Sequence, residues 1–184
     1  MTWILTRSGI PFDLLEPAPD MVQPMDIAHA LAHLCRFNGH TLQHYSVAEH
    51  SIRVAQLVPA EHQLAALLHD ATEAYVGDMV RPLKQVLPGY QQIEQRVWKA
   101  ICQRFDLDPV LPECVHQADM VMLATERRDL MPDHPAQWEC LDGVEPLRAR
   151  IVPCNAVTAQ VQYFNLLMEQ LATTHRRRAT GGAA

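Results

Sequence analysis

The sequence predicts a single all-α domain with a small β-hairpin at its N-terminus, and three observations predict it. Beyond Pro24 the apolar residues recur with a helical period. The β-leaning runs, residues 3–6 and 10–15, are confined to the N-terminus and flank a turn at Arg7-Ser8-Gly9. The 184 residues, 48% of them hydrophobic, suffice for one sizeable core, and no repeat or linker divides them. Residues 1–173 make up that domain. The tail, 174–184, carries the basic run His175-Arg176-Arg177-Arg178 and then only small residues, and it reads as disordered.

The helices follow in order. Across 26–37, Ile27, Ala30, Leu31 and Leu34 form one apolar stripe and leave His29 and His33 opposite it. Ser46-Val47-Ala48-Glu49 is a capping-box pattern in which Ser46 and Glu49 satisfy free N–H groups of a second helix. That helix runs to about Val58 before Pro59. Its stripe is Val47, Ser51, Val54 and Val58, with His50 on the inner edge. A third helix spans 61–75, with Leu64, Leu68, Ala71 and Tyr75 inward, and Gly77 closes it. A fourth covers 90–105 with Ile93, Val97, Ala100 and Ile101 inward; a fifth covers 113–131 and a sixth 156–172. Residues 132–153, rich in Pro, Asp and Trp, read as a long irregular connection.

Composition excludes several roles. Lys and Arg total 15 against 21 Asp and Glu, a net charge of −6, which does not suit a protein whose main partner is nucleic acid. The longest uncharged stretch, 151–168, holds Pro153, Asn155, Thr158, Gln160, Gln162 and Asn165 and is not a membrane span. The N-terminus lacks the apolar run of a secretory signal. Cys35, Cys102, Cys114, Cys140 and Cys154 are odd in number with no C-x-x-C pair, which points to reduced thiols in a cytoplasm and to no zinc–cysteine framework. The unusual count is histidine, at 10.

The chemistry concentrates in three places. His50 sits on the inner edge of its helix. His69, Asp70 and Glu73 gather in one arc of the third helix, within a stretch apolar enough for burial all round. Asp119 shares a face with Val115, Met122, Leu123 and Glu126 and points inward. An inward carboxylate needs a cation, and Arg127 and Arg128 are candidates for that purely structural role. Taken together, two imidazoles and two carboxylates suit a divalent ion that keeps positions open for water and a substrate oxygen. Mn²⁺, Co²⁺, Fe²⁺, Ni²⁺ and Zn²⁺ all fit such a set. His29 and His33 read as surface histidines, His44 as a loop residue and Tyr75 as core. His40 fits either the pocket mouth or the loop, and Trp138 either a core plug or a base-stacking lid.

The order His50, His69-Asp70, Asp119 resembles the H…HD…D signature of the HD-domain metal-dependent phosphohydrolases. The blocks Ser46-Val47-Ala48-Glu49-His50-Ser51 and His69-Asp70-Ala71-Thr72-Glu73-Ala74-Tyr75-Val76-Gly77-Asp78, followed by Arg81-Pro82-Leu83-Lys84, resemble its small 5′-deoxynucleotidase branch (YfbR-like). Cys35-Arg36-Phe37-Asn38-Gly39-His40-Thr41 and the segment from Ala118-Asp119 to Thr125-Glu126-Arg127-Arg128-Asp129-Leu130 look most like the prophage-encoded YfdR type. The resemblance spans roughly residues 24–172.

It implies a compact HD-domain helical fold with a metal ion held by His50, His69, Asp70 and Asp119. Glu73 and Asp78 fall where this branch keeps its catalytic carboxylates, and a dinuclear site with both as ligands is also open. Arg36 falls where the branch grips phosphate, with Lys84 a second cation for it. After that Arg the branch commonly carries a Trp against deoxyribose; here the residue is Phe37. The implied substrate is a 2′-deoxynucleotide, either a monophosphate losing its 5′-phosphate or a triphosphate releasing triphosphate. For a triphosphate, Arg81, Arg127 and Arg128 supply further charge. A non-catalytic nucleotide-binding regulator is the reading of another class, and a homo-oligomer is the implied assembly.

Overall fold

Alternating residues in the first 13 positions form the expected hairpin. Trp3–Leu5 (β1) and Pro11–Asp13 (β2) pair antiparallel, with Ile4 opposite Phe12. Gly9, at φ +79°, supplies the left-handed turn position. In the computed structural model, which describes residues 1–181 and side chains as far as 177, Phe12 is fully buried and stacks on Tyr75 at 3.8 Å. Ser8 donates through its N–H and hydroxyl to buried Asp26 at 2.8 and 2.7 Å, which ties the turn to the first helix.

The rest is mostly helical. In chain order the helices are α1 (Pro24–His33), α2 (Val47–Leu57), α3 (Gln63–Leu68), α4 (Glu73–Val76), α5 (Arg81–Gln85), α6 (Pro88–Phe105), α7 (Glu113–Leu130) and α8 (Ala156–Gly181). Helix α2 is the centre of the bundle, packing against α1, α3, α7 and α8. Its buried stripe is the expected one, and the buried Ser51 hydroxyl is satisfied by Val47 O at 3.0 Å. Val97, Ala100 and Ile101 of α6 are buried, as their spacing requires. No helix among the described residues is long and apolar enough to cross a membrane.

Four local expectations are corrected. The first helix stops at His33 instead of reaching residue 37, because Cys35 forms an isolated antiparallel bridge with Ser46 and Arg36 N–H bonds Tyr45 O at 2.9 Å. The third helix is split. Ala71 N–H bonds Leu68 O and Glu73 N–H bonds Asp70 O, so the chain tightens to i→i+3 pairing across the His69-Asp70 step. Leu67 O is thereby left to accept the Tyr163 hydroxyl of α8 at 2.8 Å. Only half of the capping box forms: Ser46 Oγ accepts Glu49 N–H, whereas the Glu49 carboxylate turns to Arg53 and to Cys154 N–H.

The fourth concerns the tail. Helix α8 continues through 174–181, where disorder was expected, and Arg177 donates to Ala60 O at 3.2 Å. Residues 182–184 of that tail lie outside the described residues.

Candidate metal centre

Helix α2, the turn between α3 and α4, and helix α7 each bring one part of a single cluster. His50 Nε2 lies 3.4 Å from His69 Nε2, 3.5 Å from Asp70 Oδ2 and 3.2 Å from Asp119 Oδ1. His69 Nε2 lies 3.3 Å from Asp70 Oδ2 and 4.0 Å from Asp119 Oδ1. The donor atoms of His50, His69 and Asp119 all fall within 4.8 Å of one another. Residues 69 positions apart in the chain therefore meet at a point, and all four expected ligands are among them.

The hydrogen bonds behind the rings fix what faces that point. His69 Nδ1 lies 2.7 Å from Ala66 O, and a carbonyl only accepts, so Nδ1 carries the proton. His50 Nδ1 lies 2.6 Å from Glu126 Oε1 and donates to it. Both Nε2 lone pairs are thus turned toward each other and toward two carboxylates. Lone pairs repel at such distances unless a cation stands between them, and this donor set of two nitrogens and two oxygens fits a divalent metal ion. His50 is fully buried, while the Asp119 side chain is 32% exposed, so the imidazoles form the floor and the carboxylates the open rim.

Charge around the cluster makes the same demand for a cation, which a proton on His50 Nε2 meets when no metal ion does. Burial and the Arg36 guanidinium work against a proton on His50, but Glu126 and Asp119 outweigh them and raise its pKa to about 9. Burial would raise Asp119, yet its bond to His50 and the charges of His50, His69 and Arg36 hold it well below the carboxylate range. Burial, then the neighbouring Asp70 and Asp78, push Glu73 well up. Burial and Asp70 likewise raise Asp78 against the pull of Arg36. Glu73 is buried, and its Oε2 has no hydrogen-bond partner. The carboxylates outnumber the available cations, since Lys84 is paired with Glu94 at 2.5 Å.

Arg36 enters from the turn after α1. Its Nη1 lies 3.5 Å from Asp70 and its Nη2 3.2 Å from Glu126, while its buried Nε has no partner. The turn that carries it is strained: Phe37 and Asn38 both have φ above +50°, followed by Gly39 at +79°. The Phe37 ring sits 5.4 Å from the Arg36 guanidinium carbon and 5.9 Å from Trp138. Lys84 lies 5.8 Å from the Tyr90 ring, and the Tyr90 hydroxyl donates to Gly77 O at 2.9 Å.

Other assignments shift. Arg127 and Arg128 do not neutralise Asp119: Arg127 bonds Ala136 O, and Arg128 clasps Asp129. His29 is not free on the surface, because its Nδ1 pairs with Gln160 Oε1 of α8 at 3.0 Å. His40 and His44 are exposed, and His44 lies against Cys35. Glu126 was not assigned a role from sequence, yet it orients His50. The signal was its placement seven residues after Asp119 on the same inward face.

No family model matches the chain. It is 44% identical over 173 residues to the uncharacterized protein YfdR of Escherichia coli K12, covering 92% of this chain and 97% of that one. It is also 41% identical over 126 residues to an uncharacterized protein of Rhodobacter capsulatus, covering 63% of this chain and 64% of the relative. The chain belongs to the YfdR family.

Proposed function

We propose that the chain is an HD-domain phosphohydrolase, dependent on a divalent metal, that removes the 5′-phosphate of 2′-deoxynucleoside monophosphates. The observation that carries this reading is the meeting of His50, His69, Asp70 and Asp119 beside a buried, unpartnered Glu73 and the Arg36 guanidinium. The 5′-deoxynucleotide specificity rests on the resemblance of the His69-to-Lys84 block.

His50, His69, Asp70 and Asp119 hold the ion, which supplies Lewis acidity toward a phosphoryl oxygen and makes water a better nucleophile at neutral pH. Glu126 keeps His50 in the tautomer that offers Nε2. Arg36 meets the phosphate with a guanidinium already held at the centre and an Nε–H free to donate. In the tightened segment Glu73 follows Asp70 by three residues, so the two side chains lie on one edge. Glu73 takes the proton of the attacking water as the new P–O bond forms and returns that proton to the leaving 5′-oxygen as its bond to phosphorus breaks. Asp78, beyond the left-handed Gly77, reaches over the substrate.

A triphosphate would call for more positive charge, and of the three arginines that could supply it Arg127 and Arg128 are bonded elsewhere, with Arg81 alone left, which favours the monophosphate. The test uses chelator-stripped protein reloaded with Mn²⁺ or Co²⁺, given dAMP and dATP separately, with products separated by chromatography. Deoxyadenosine plus phosphate from dAMP is the expected result. Triphosphate from dATP with dAMP untouched would make it a triphosphohydrolase, and no turnover with any metal would leave the non-catalytic regulator.

A further inference from the structure

A cavity of about 580 Å³ lies between the C-terminal half of α7 and residues 132–146, and its lining includes none of the four metal-facing residues. Its walls include Trp138, Met131 and Leu141, with Arg127, Arg128, Asp133 and His134 as the charged and polar groups. That size and that mix of apolar wall with few polar groups are those of a small-molecule pocket. A line of contacts joins it to the metal centre: Asp70 to Arg36 at 3.5 Å, Arg36 to Phe37 at 5.4 Å, and Phe37 to Trp138 at 5.9 Å.

We propose that this cavity receives the base of the deoxynucleotide, with the Trp138 indole as its stacking wall; the proposal rests on the phosphohydrolase reading above. A base has flat π-faces and an edge of mixed donors and acceptors, and the cavity answers both. Trp138 gives the aromatic face. His134 Nδ1 accepts the Ala136 N–H at 3.1 Å, so in the neutral ring the proton is on Nε2, a donor. Asp133 supplies an acceptor. Arg127 is a positioning residue: its guanidinium lies 5.3 Å from the indole centre and it bonds Ala136 O, which holds the segment that carries Trp138. The phosphate then sits at Arg36, the sugar beside Phe37 and the base at Trp138, in the order in which a nucleotide joins them.

The test compares dAMP with 2-deoxyribose 5-phosphate, the same sugar phosphate without a base, on metal-loaded protein. The expected result is a kcat/KM ratio favouring dAMP that falls about tenfold or more in Trp138→Ala. Trp138→Phe, which keeps an aromatic face, holds the ratio within about threefold. A wild-type ratio near one, or a ratio unchanged in Trp138→Ala, overturns the proposal. If neither compound is hydrolysed, the phosphohydrolase reading fails, and the base pocket is decided separately by titrating deoxyadenosine against tryptophan fluorescence. Quenching that disappears in Trp138→Phe, where only Trp3 and Trp98 remain, supports the pocket; no quenching of the wild type overturns it.

Discussion

Two charged clusters sit on α7, and they differ in one respect. At the C-terminal end, Asp129 accepts from Arg128 Nε and Nη2 at 2.7 Å each, from Arg150 Nη1 at 2.7 Å and from Ile151 N–H at 2.9 Å. Every oxygen there has a donor, and the cluster ties residues 147–151 to the helix. One face away, Asp119 and Glu126 belong to a cluster that does not close. Imidazole lone pairs face carboxylates, and Glu73 Oε2 and Arg36 Nε are buried without partners. A buried polar group left unpaired costs about 1–3 kcal/mol, and a ligand bound at this cluster would supply the missing partners. Balance suits the first cluster to a structural role, and imbalance makes the second a group that could hold a metal ion.

Substitutions in the two clusters should therefore fail in different ways. Glu73→Gln is expected to retain the metal, measured as ion content after gel filtration, and to lose about 10²–10⁴-fold in turnover. Full activity in that variant would remove Glu73 from the chemistry. Glu126→Gln weakens the acceptor that orients His50, and metal affinity should drop about 10–100-fold with little change in folding. An unchanged affinity would mean that the tautomer is set by something else.

Asp129→Asn should do the reverse, leaving metal affinity alone and lowering the stability to denaturant by about 2 kcal/mol. Its pH dependence has a definite sign. The bond from Arg128, then those from Ile151 and Arg150, hold the Asp129 carboxyl below its ordinary 3.8 against the effect of burial. Its contribution is complete above that ordinary value and is lost as the pH falls further, toward the folded-state pKa. Wild-type stability should thus drop faster below about pH 4 than that of Asp129→Asn, and parallel curves would contradict the assignment. The smallest effect is expected at the strained turn. Asn38→Gly relieves a left-handed residue at φ +52° and should gain about 0.5 kcal/mol, read as a shift in denaturation midpoint; a loss would show that the Asn side chain is needed there.

The sequence revealed the stripes of α2, α6 and α7 because each is a plain 3.6-residue pattern. It also brought His50, His69, Asp70 and Asp119 forward, since each is an ionisable group set where apolar residues are due. The break at His69-Asp70 was not legible: no Gly or Pro marks it, and the group that takes up the freed Leu67 O, the Tyr163 hydroxyl, lies 96 residues away. The pairing of Arg36 with Glu126 was hidden for the same reason, being a contact across 90 residues. Arg127 and Arg128 were nearer in sequence to Asp119, but helix geometry turns them to another face. The length of α8 was missed because a run of arginines and small residues carries no apolar stripe, whereas the helix is pinned by Arg177 to Ala60 O.

The most direct measurement is calorimetric titration of chelator-stripped protein with Mn²⁺, alongside His69→Ala and Asp70→Ala. One tight site in the wild type, lost in both variants while their circular dichroism stays helical, is the expected result. Mn²⁺ binding that survives in both variants, or that is absent from the wild type, would show that the convergence of His50, His69, Asp70 and Asp119 is not a metal centre.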